Sequence, residues 1–267
     1  MKQSKRPSHK PLLQFAHELA DAAGRVILPH FRRPIAVENK AAAGDFDPVT
    51  VADRAAERII ARMIRRQWPE HGMVGEEFGG HAGSCTLKWV VDPIDGTRSF
   101  IMGMPIWGTL IGLIDGDEPV LGLMDQPFTR ERVWASEQGA FWRVGDGRPR
   151  RIATRACTRV ADAVLTTTHP DLLGREALED FMRVKAVARM TRYGGDCYSY
   201  CLLAAGLVDL VIEDGLKPFD VAALVPIVER AGGRITTWDG GPAGNGGSIV
   251  AAGSARLHGE ALRLLKR

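Results

Sequence analysis

The stretch Trp89-Val90-Val91-Asp92-Pro93-Ile94-Asp95-Gly96-Thr97 constrains this chain more than any other. Aromatic and β-branched residues read as a short buried strand. The strand runs straight into two carboxylates three residues apart. Pro93 stiffens the bend between them, and Gly96-Thr97 offers backbone N–H groups just beyond. Asp92 and Asp95 can supply hard oxygen ligands to Mg²⁺. N–H groups at the start of a helical turn can point at phosphate oxygens. Asp, Pro and Gly also make ordinary turns, so the stretch by itself leaves a plain strand-ending turn open.

A chain of 267 residues holds one large domain or two small ones and can bury a substantial core. With 45% hydrophobic and 25% charged residues it has an ordinary globular composition. The formal net charge of +3 sits largely at the ends, on Lys2, Lys5, Arg6 and Lys10, then Arg263, Lys266 and Arg267. No basic stripe interleaved with aromatics stands out, so nucleic acid is not an expected partner. The four cysteines, Cys85, Cys157, Cys197 and Cys201, contain no C-x-x-C pair, which points to a reducing compartment. The basic start is not followed by an apolar segment, and no run of about 18 apolar residues occurs. No signal peptide and no membrane span are expected, and the expected location is cytoplasmic.

Apolar spacing predicts helices over 11–32 and 51–67, the second capped by Thr50 with Asp53 three residues on. A strand-like segment at Ile35–Glu38 and a loop at 41–48 lie between them. Strands are predicted at Lys88–Ile94, Trp107–Ile114, Val120–Asp125, Arg132–Ser136 and Ala140–Val144, separated by Gly-Asp turns, as a mostly antiparallel sheet. From residue 164 onward, strands and helices alternate, with helices at Glu176–Val184, Cys197–Ala205, Val221–Arg230 and 256–265. That alternation favours a second layered α/β half. The expectation is a single catalytic domain over 1–267. Its lobes are 1–155, which carries the metal site, and 156–267, which completes the pocket. The Gly-rich stretch Asp239–Gly247 lacks a phosphate-loop Lys-Ser/Thr and reads as a hairpin loop.

Acids recur in four places: Asp45-Phe46-Asp47-Pro48, Gly75-Glu76-Glu77, Asp92 with Asp95, and Asp220. Each has a plain alternative. Asp47 precedes a proline, Glu76-Glu77 suits a solvated turn, and Asp220 suits a helix N-cap. Together they offer enough oxygen ligands for two or three Mg²⁺ ions about 4 Å apart, as in metal-assisted phosphoester hydrolysis.

In order and spacing, Asp47-Pro48-Val49-Thr50-Val51-Ala52-Asp53, Gly75-Glu76-Glu77, Trp89 to Thr97 and Phe219-Asp220-Val221-Ala222-Ala223 resemble the inositol monophosphatase family of Mg²⁺-dependent phosphatases. The resemblance spans most of the chain. It implies an α/β (α+β) fold, a five-layered αβαβα sandwich of the inositol monophosphatase and fructose-1,6-bisphosphatase type, in a homodimer. It assigns Glu76, Asp92 and the Ile94 carbonyl to one metal, and Asp92, Asp95 and Asp220 to a second. A third, weaker ion would sit near Glu76, with Glu77 an uncertain neighbour. The resemblance pairs Asp47 with Thr97 to activate the attacking water and gives phosphate to the N–H groups of Gly96 and Thr97. Phe219 departs from the family's usual Trp, and Leu224 stands where a Gly is common.

The leaving-group pocket, by the same resemblance, involves Arg192-Tyr193-Gly194-Gly195-Asp196-Cys197-Tyr198 and Glu213-Asp214. Asp196 reads either as a helix cap or as an added carboxylate beside Glu213, which would favour a cationic leaving group. With Trp107–Leu113, Asp125–Phe128 and Leu216–Asp220, this stretch resembles the histidinol-phosphate phosphatase branch of the family. That branch implies L-histidinol phosphate as substrate and a place in histidine biosynthesis, with Arg192, Asp196 and Glu213 contacting the substrate. Inositol 1-phosphate or sugar phosphates are the alternative, and an RNA- or polymerase-associated regulator is a third reading.

Overall fold

The structure is a computed structural model that describes residues 9–40 and 46–266. Asp45, most of the loop expected at 41–48, and the terminal Lys2, Lys5, Arg6 and Arg267 lie outside the described residues. Five layers stack in the order helix, sheet, helix, sheet, helix.

The first layer is α1 (Lys10–Ile27) and α2 (Val51–Gln67). α1 buries Leu12, Phe15, Ala16, Leu19, Ala23 and Ile27 along one stripe. It stops short of the expected residue 32, because Pro29 has no N–H to donate to the Arg25 carbonyl. A 3₁₀ turn at Leu28–His30 follows. Thr50 and Asp53 cap α2 reciprocally. Between the two helices, β1 (Val37–Asn39) and β2 (Pro48–Thr50) form a small ribbon.

The second layer is an eight-stranded sheet. Its strands are β3 (Gly72–Gly75), β4 (Gly79–His81), β5 (Leu87–Asp95), β6 (Gly108–Asp115), β7 (Glu118–Gln126), β8 (Glu131–Ser136), β9 (Gly139–Val144) and β10 (Arg150–Arg151). They run β10-β9-β8-β7-β6-β5-β3-β4, antiparallel except for β3 beside β5. The short α3 (Thr97–Ile101) follows β5. Helices cover both faces, so the central strands read as continuous apolar runs. Trp89, Ile111 and Leu113 face α1 and α2, while Leu110, Met124 and Val133 face the other way. Phe15 meets Trp89 edge-on at 5.6 Å. Each such side chain contributes roughly 1.5–3 kcal/mol when fully buried.

The fourth layer is a five-stranded sheet of β11 (Val164–Thr167), β12 (Met190–Tyr193), β13 (Leu210–Leu216), β14 (Arg234–Thr237) and β15 (Gly247–Ala252), ordered β12-β11-β13-β15-β14. Between the sheets lie α5 (Asp196–Ala204), α6 (Pro218–Val221) and α7 (Leu224–Arg230). α4 (Arg175–Val187) and α8 (Ala255–Leu265) close the outer face. The single helix expected over Val221–Arg230 is two pieces. Pro226 has no N–H for the Ala222 carbonyl, so the chain breaks at 222–223. That break nests on the sheet: a Cβ on Gly122 would lie 1.8 Å from the Ala223 carbonyl oxygen. Glycine there lets the backbone carrying Asp220 approach the end of β5.

Candidate metal and phosphate centre

The centre begins with an irregularity. Asp92 pairs with Leu110 and Asp95 with Gly108, so β5 carries one extra residue against β6. In a regular strand, residues three apart point to opposite faces. The bulge at Pro93–Ile94 returns Asp95 to the side of Asp92, and proline is tolerated there because its missing N–H falls at the bulge. Thr109 Oγ1 donates to the Pro93 carbonyl at 2.8 Å, and Asp92 Oδ1 accepts the Ile94 N–H at 2.9 Å.

Gly96 then adopts φ +83° and starts α3. The left-handed conformation favours glycine, and space demands it too, because a Cβ would sit 2.8 Å from Asp196 Oδ2. Thr97 Oγ1 donates to the Ile94 carbonyl at 3.0 Å. Asp95 Oδ2 accepts the Cys197 N–H at 2.7 Å, tying β5 to the start of α5. Asp220 Oδ2 accepts the Lys217 N–H at 2.6 Å. Carboxylate oxygens of Asp92, Asp95 and Asp220 lie within 4.8 Å of one another.

Burial, then the charges of Glu76, Asp95 and Asp220, push the Asp92 carboxyl well above the usual range. Burial, then Asp196 and Asp220, do the same to Asp95 against the Cys197 N–H. Asp220, buried and facing Glu76, is raised to about 7. Three buried carboxylates this close repel one another and favour a shared cation. An all-oxygen set of carboxylates with a nearby carbonyl is the donor chemistry of a hard divalent ion. The residues present therefore fit Mg²⁺.

Glu76 stands at the edge of this trio. Lys40 Nζ lies 2.7 Å from Glu76 and 2.9 Å from Glu77. Burial alone would lower the Lys40 ammonium, but those two hydrogen bonds overcome it and hold it above its usual value. The Glu77 side chain is nearly buried, and the N–H groups of Glu77 and Phe78 bond the Glu57 carboxylate.

Asp47 and Thr97 share one cleft, with no hydrogen bond between them among the described residues. The Asp47 side chain is 56% exposed, its nearest charged neighbour is Lys40 at 3.9 Å, and the Thr97 hydroxyl is spent on Ile94. Asp53 lies outside that cleft and caps α2. Its Oδ2 accepts the Thr50 N–H and hydroxyl, whereas Oδ1 is buried with no partner. Burial, reinforced by Glu77 and Glu76 and opposed by Thr50, raises it to about 6. In the sequence Asp53 reads only as a cap.

Asp47, Asp95, Gly96, Thr97, Asp196, Glu213 and Asp220 line one cleft of about 320 Å³. Asp196 Oδ2 accepts the Ser99 hydroxyl at 2.7 Å. Glu213 accepts from Thr168 N, Thr168 Oγ1 and Thr167 Oγ1 at 2.7, 2.9 and 3.2 Å, yet burial still raises it to about 7. Arg192 is exposed on the edge strand β12 and does not line the cleft.

The profile of the inositol monophosphatase family matches residues 8–267. The chain belongs to the inositol monophosphatase family. It is 42% identical over 259 residues to the bifunctional phosphatase IMPL2, chloroplastic, of Arabidopsis thaliana, covering 93% of this chain and 73% of that protein. It is 39% identical over 223 residues to a histidinol-phosphatase of Mycobacterium tuberculosis, covering 83% and 85% respectively. An inositol monophosphatase structure from Zymomonas mobilis superposes with a TM-score of 0.85 at 40% identity, covering 97% of this chain and 99% of that one. Inositol monophosphatase family members are metal-dependent phosphatases of small phosphomonoesters, and the acidic cluster of this chain accords with that. No helix among the described residues is long and apolar enough to cross a membrane.

Proposed function

We propose that this family phosphatase hydrolyses L-histidinol phosphate to L-histidinol and phosphate with two to three Mg²⁺ ions, acting as a homodimer. Glu76, Asp92, the Ile94 carbonyl, Asp95 and Asp220 would hold the ions. When bound, the cations supply Lewis-acid charge that favours both the attacking and the leaving oxygen of the phosphoryl group. Gly96 and Thr97 stand at the start of α3, where backbone N–H groups lack intrahelical partners and can receive phosphate oxygens. Asp47 and Thr97, which share the cleft, would pair to orient and deprotonate the attacking water.

The observation that carries the substrate choice is the acidic wall of the cleft. Asp196, Glu213 and Asp214 share the cleft with Asp95 and Asp220. A leaving group bearing an amine and an imidazole places positive charge against that wall, whereas a polyol gains only hydroxyl contacts there. Glu213, titrating near neutrality, becomes a better acceptor once a cation lies beside it. The name of the M. tuberculosis relative supports the same choice.

Hydrolysis of inositol 1-phosphate is the second reading, and the likeness to the Z. mobilis structure favours it. Phosphate release from histidinol phosphate, inositol 1-phosphate and sugar phosphates, with and without Mg²⁺, separates the two. The expected result is at least tenfold higher kcat/KM for histidinol phosphate, about 1.4 kcal/mol of discrimination. A preference for inositol 1-phosphate would overturn the proposal.

A further inference from the structure

The outward face of α2 carries Arg54, Arg58, Arg62, Arg65 and Arg66, while its two acids, Asp53 and Glu57, are buried. Residues three and four apart on a helix are neighbours, so 54/58, 58/62, 62/65 and 62/66 set like charges side by side, which works against the helix. Arg54 is offset by Glu38, which it bonds at 3.0 and 2.7 Å. Among the described residues no acid pairs with Arg58, Arg62 or Arg65.

These three arginines form one wall of a groove of about 610 Å³. The other wall is Phe78, Gly79, Gly80 and His81, the turn and edge strand of the β3–β4 hairpin. An edge strand presents unpaired backbone N–H and C=O groups, and Gly79 and Gly80 are exposed. Phe78 is 51% exposed, with the Arg58 guanidinium 4.9 Å over its ring. Glu57 holds this wall in place by accepting the Glu77 and Phe78 N–H groups at 2.7 and 3.0 Å. Arg58 and Arg65 are separated by about 10 Å of helix rise, room for several phosphoryl groups in line.

We propose that the groove between α2 and the β3–β4 hairpin is a second anion site, apart from the catalytic cleft, which takes small ligands through a polyphosphate group. Guanidinium forks match phosphate oxygens, and a pre-positioned wall lowers the ordering cost of binding. The exposed Phe78 ring offers a surface for a flat substituent such as a nucleobase. A nucleic acid is disfavoured because acids bound the basic stripe, Glu38 at one end of α2 and Glu70 just beyond the other. The inference does not depend on the histidinol phosphate reading.

The test is calorimetric titration of the metal-stripped, dialysed full chain, in which no bound cation draws an anion to the catalytic cleft. Inorganic tripolyphosphate, metal-free ATP and a single-stranded oligonucleotide are titrated into the natural chain and into R62Q/R65Q. Far-UV circular dichroism checks the fold of the variant. The expected result is one tripolyphosphate per chain, with affinity falling about tenfold or more in the variant. Tighter ATP binding than tripolyphosphate assigns Phe78 to a base, and equal binding assigns recognition to the phosphates alone. Equal affinity in both chains, or no binding, overturns the proposal. Binding of the oligonucleotide in preference to tripolyphosphate, with steep salt dependence, overturns it in favour of nucleic acid.

Discussion

Replacing Asp95 by Asn removes one charge from the carboxylate trio and keeps an oxygen for the Cys197 N–H. At an effective dielectric near 20, two unit charges at the 4.8 Å outer limit repel by about 3.5 kcal/mol. Proton uptake caps that cost, as the rise of Asp220 to about 7 shows. Relief of roughly 3 kcal/mol remains, so the metal-free variant is expected to be more stable than the natural chain. For a chain of this size each kcal/mol shifts Tm by about 2–4 °C, which gives an increase of roughly 6–12 °C in chelator. Mg²⁺ reverses the comparison. At a hundredfold excess over Kd it adds about 2.7 kcal/mol to the natural chain and little to Asp95→Asn. Phosphate release by the variant falls by about two orders of magnitude or more. Thermal melts with and without Mg²⁺ read all of this. A lower metal-free Tm for Asp95→Asn, or equal Mg²⁺ stabilisation of both chains, would refute the reasoning.

Three further outcomes are expected. Asp47→Asn lowers kcat by about a hundredfold or more, and turnover within about threefold of the natural chain in steady-state assays contradicts its role as proton acceptor. Gly96→Ala costs about 1–2 kcal/mol through its positive φ and drives a methyl against Asp196, so Tm drops and turnover falls at least tenfold; unchanged turnover contradicts the close approach. His258, held near 4 by burial and then Arg234, stays neutral in the fold while the unfolded chain takes its proton near 6.5. Stability is therefore full above that value and declines by about 3 kcal/mol as pH falls toward 4. Urea midpoints follow that decline, and His258→Gln flattens it.

Local chemistry made much of this molecule readable. α2 lies where its capping pair and apolar stripe put it, and β5 through β9 fall within two residues of the expected strands. β4 was not legible, because its Gly-Gly-His run has little strand propensity and pairs only by lying beside β3. Pro226 marked the break between α6 and α7, but its meaning depends on the sheet glycines that receive residues 222–223. Within the site, the acids of the trio were legible by resemblance, whereas their meeting is long-range, since Asp220 arrives on α6 from the layer between the two sheets. Lys40 was missed because only the folded chain lays its ammonium between Glu76 and Glu77. Arg192 lies on an edge strand, a placement that local pattern does not reveal.

The one-residue surplus in β5 has a consequence for change by insertion and deletion. Losing Pro93 alone would leave every acid in the chain and yet swing one of them through the sheet to its opposite side. Chain length between these two aspartates is thus as much a part of the centre as the aspartates themselves.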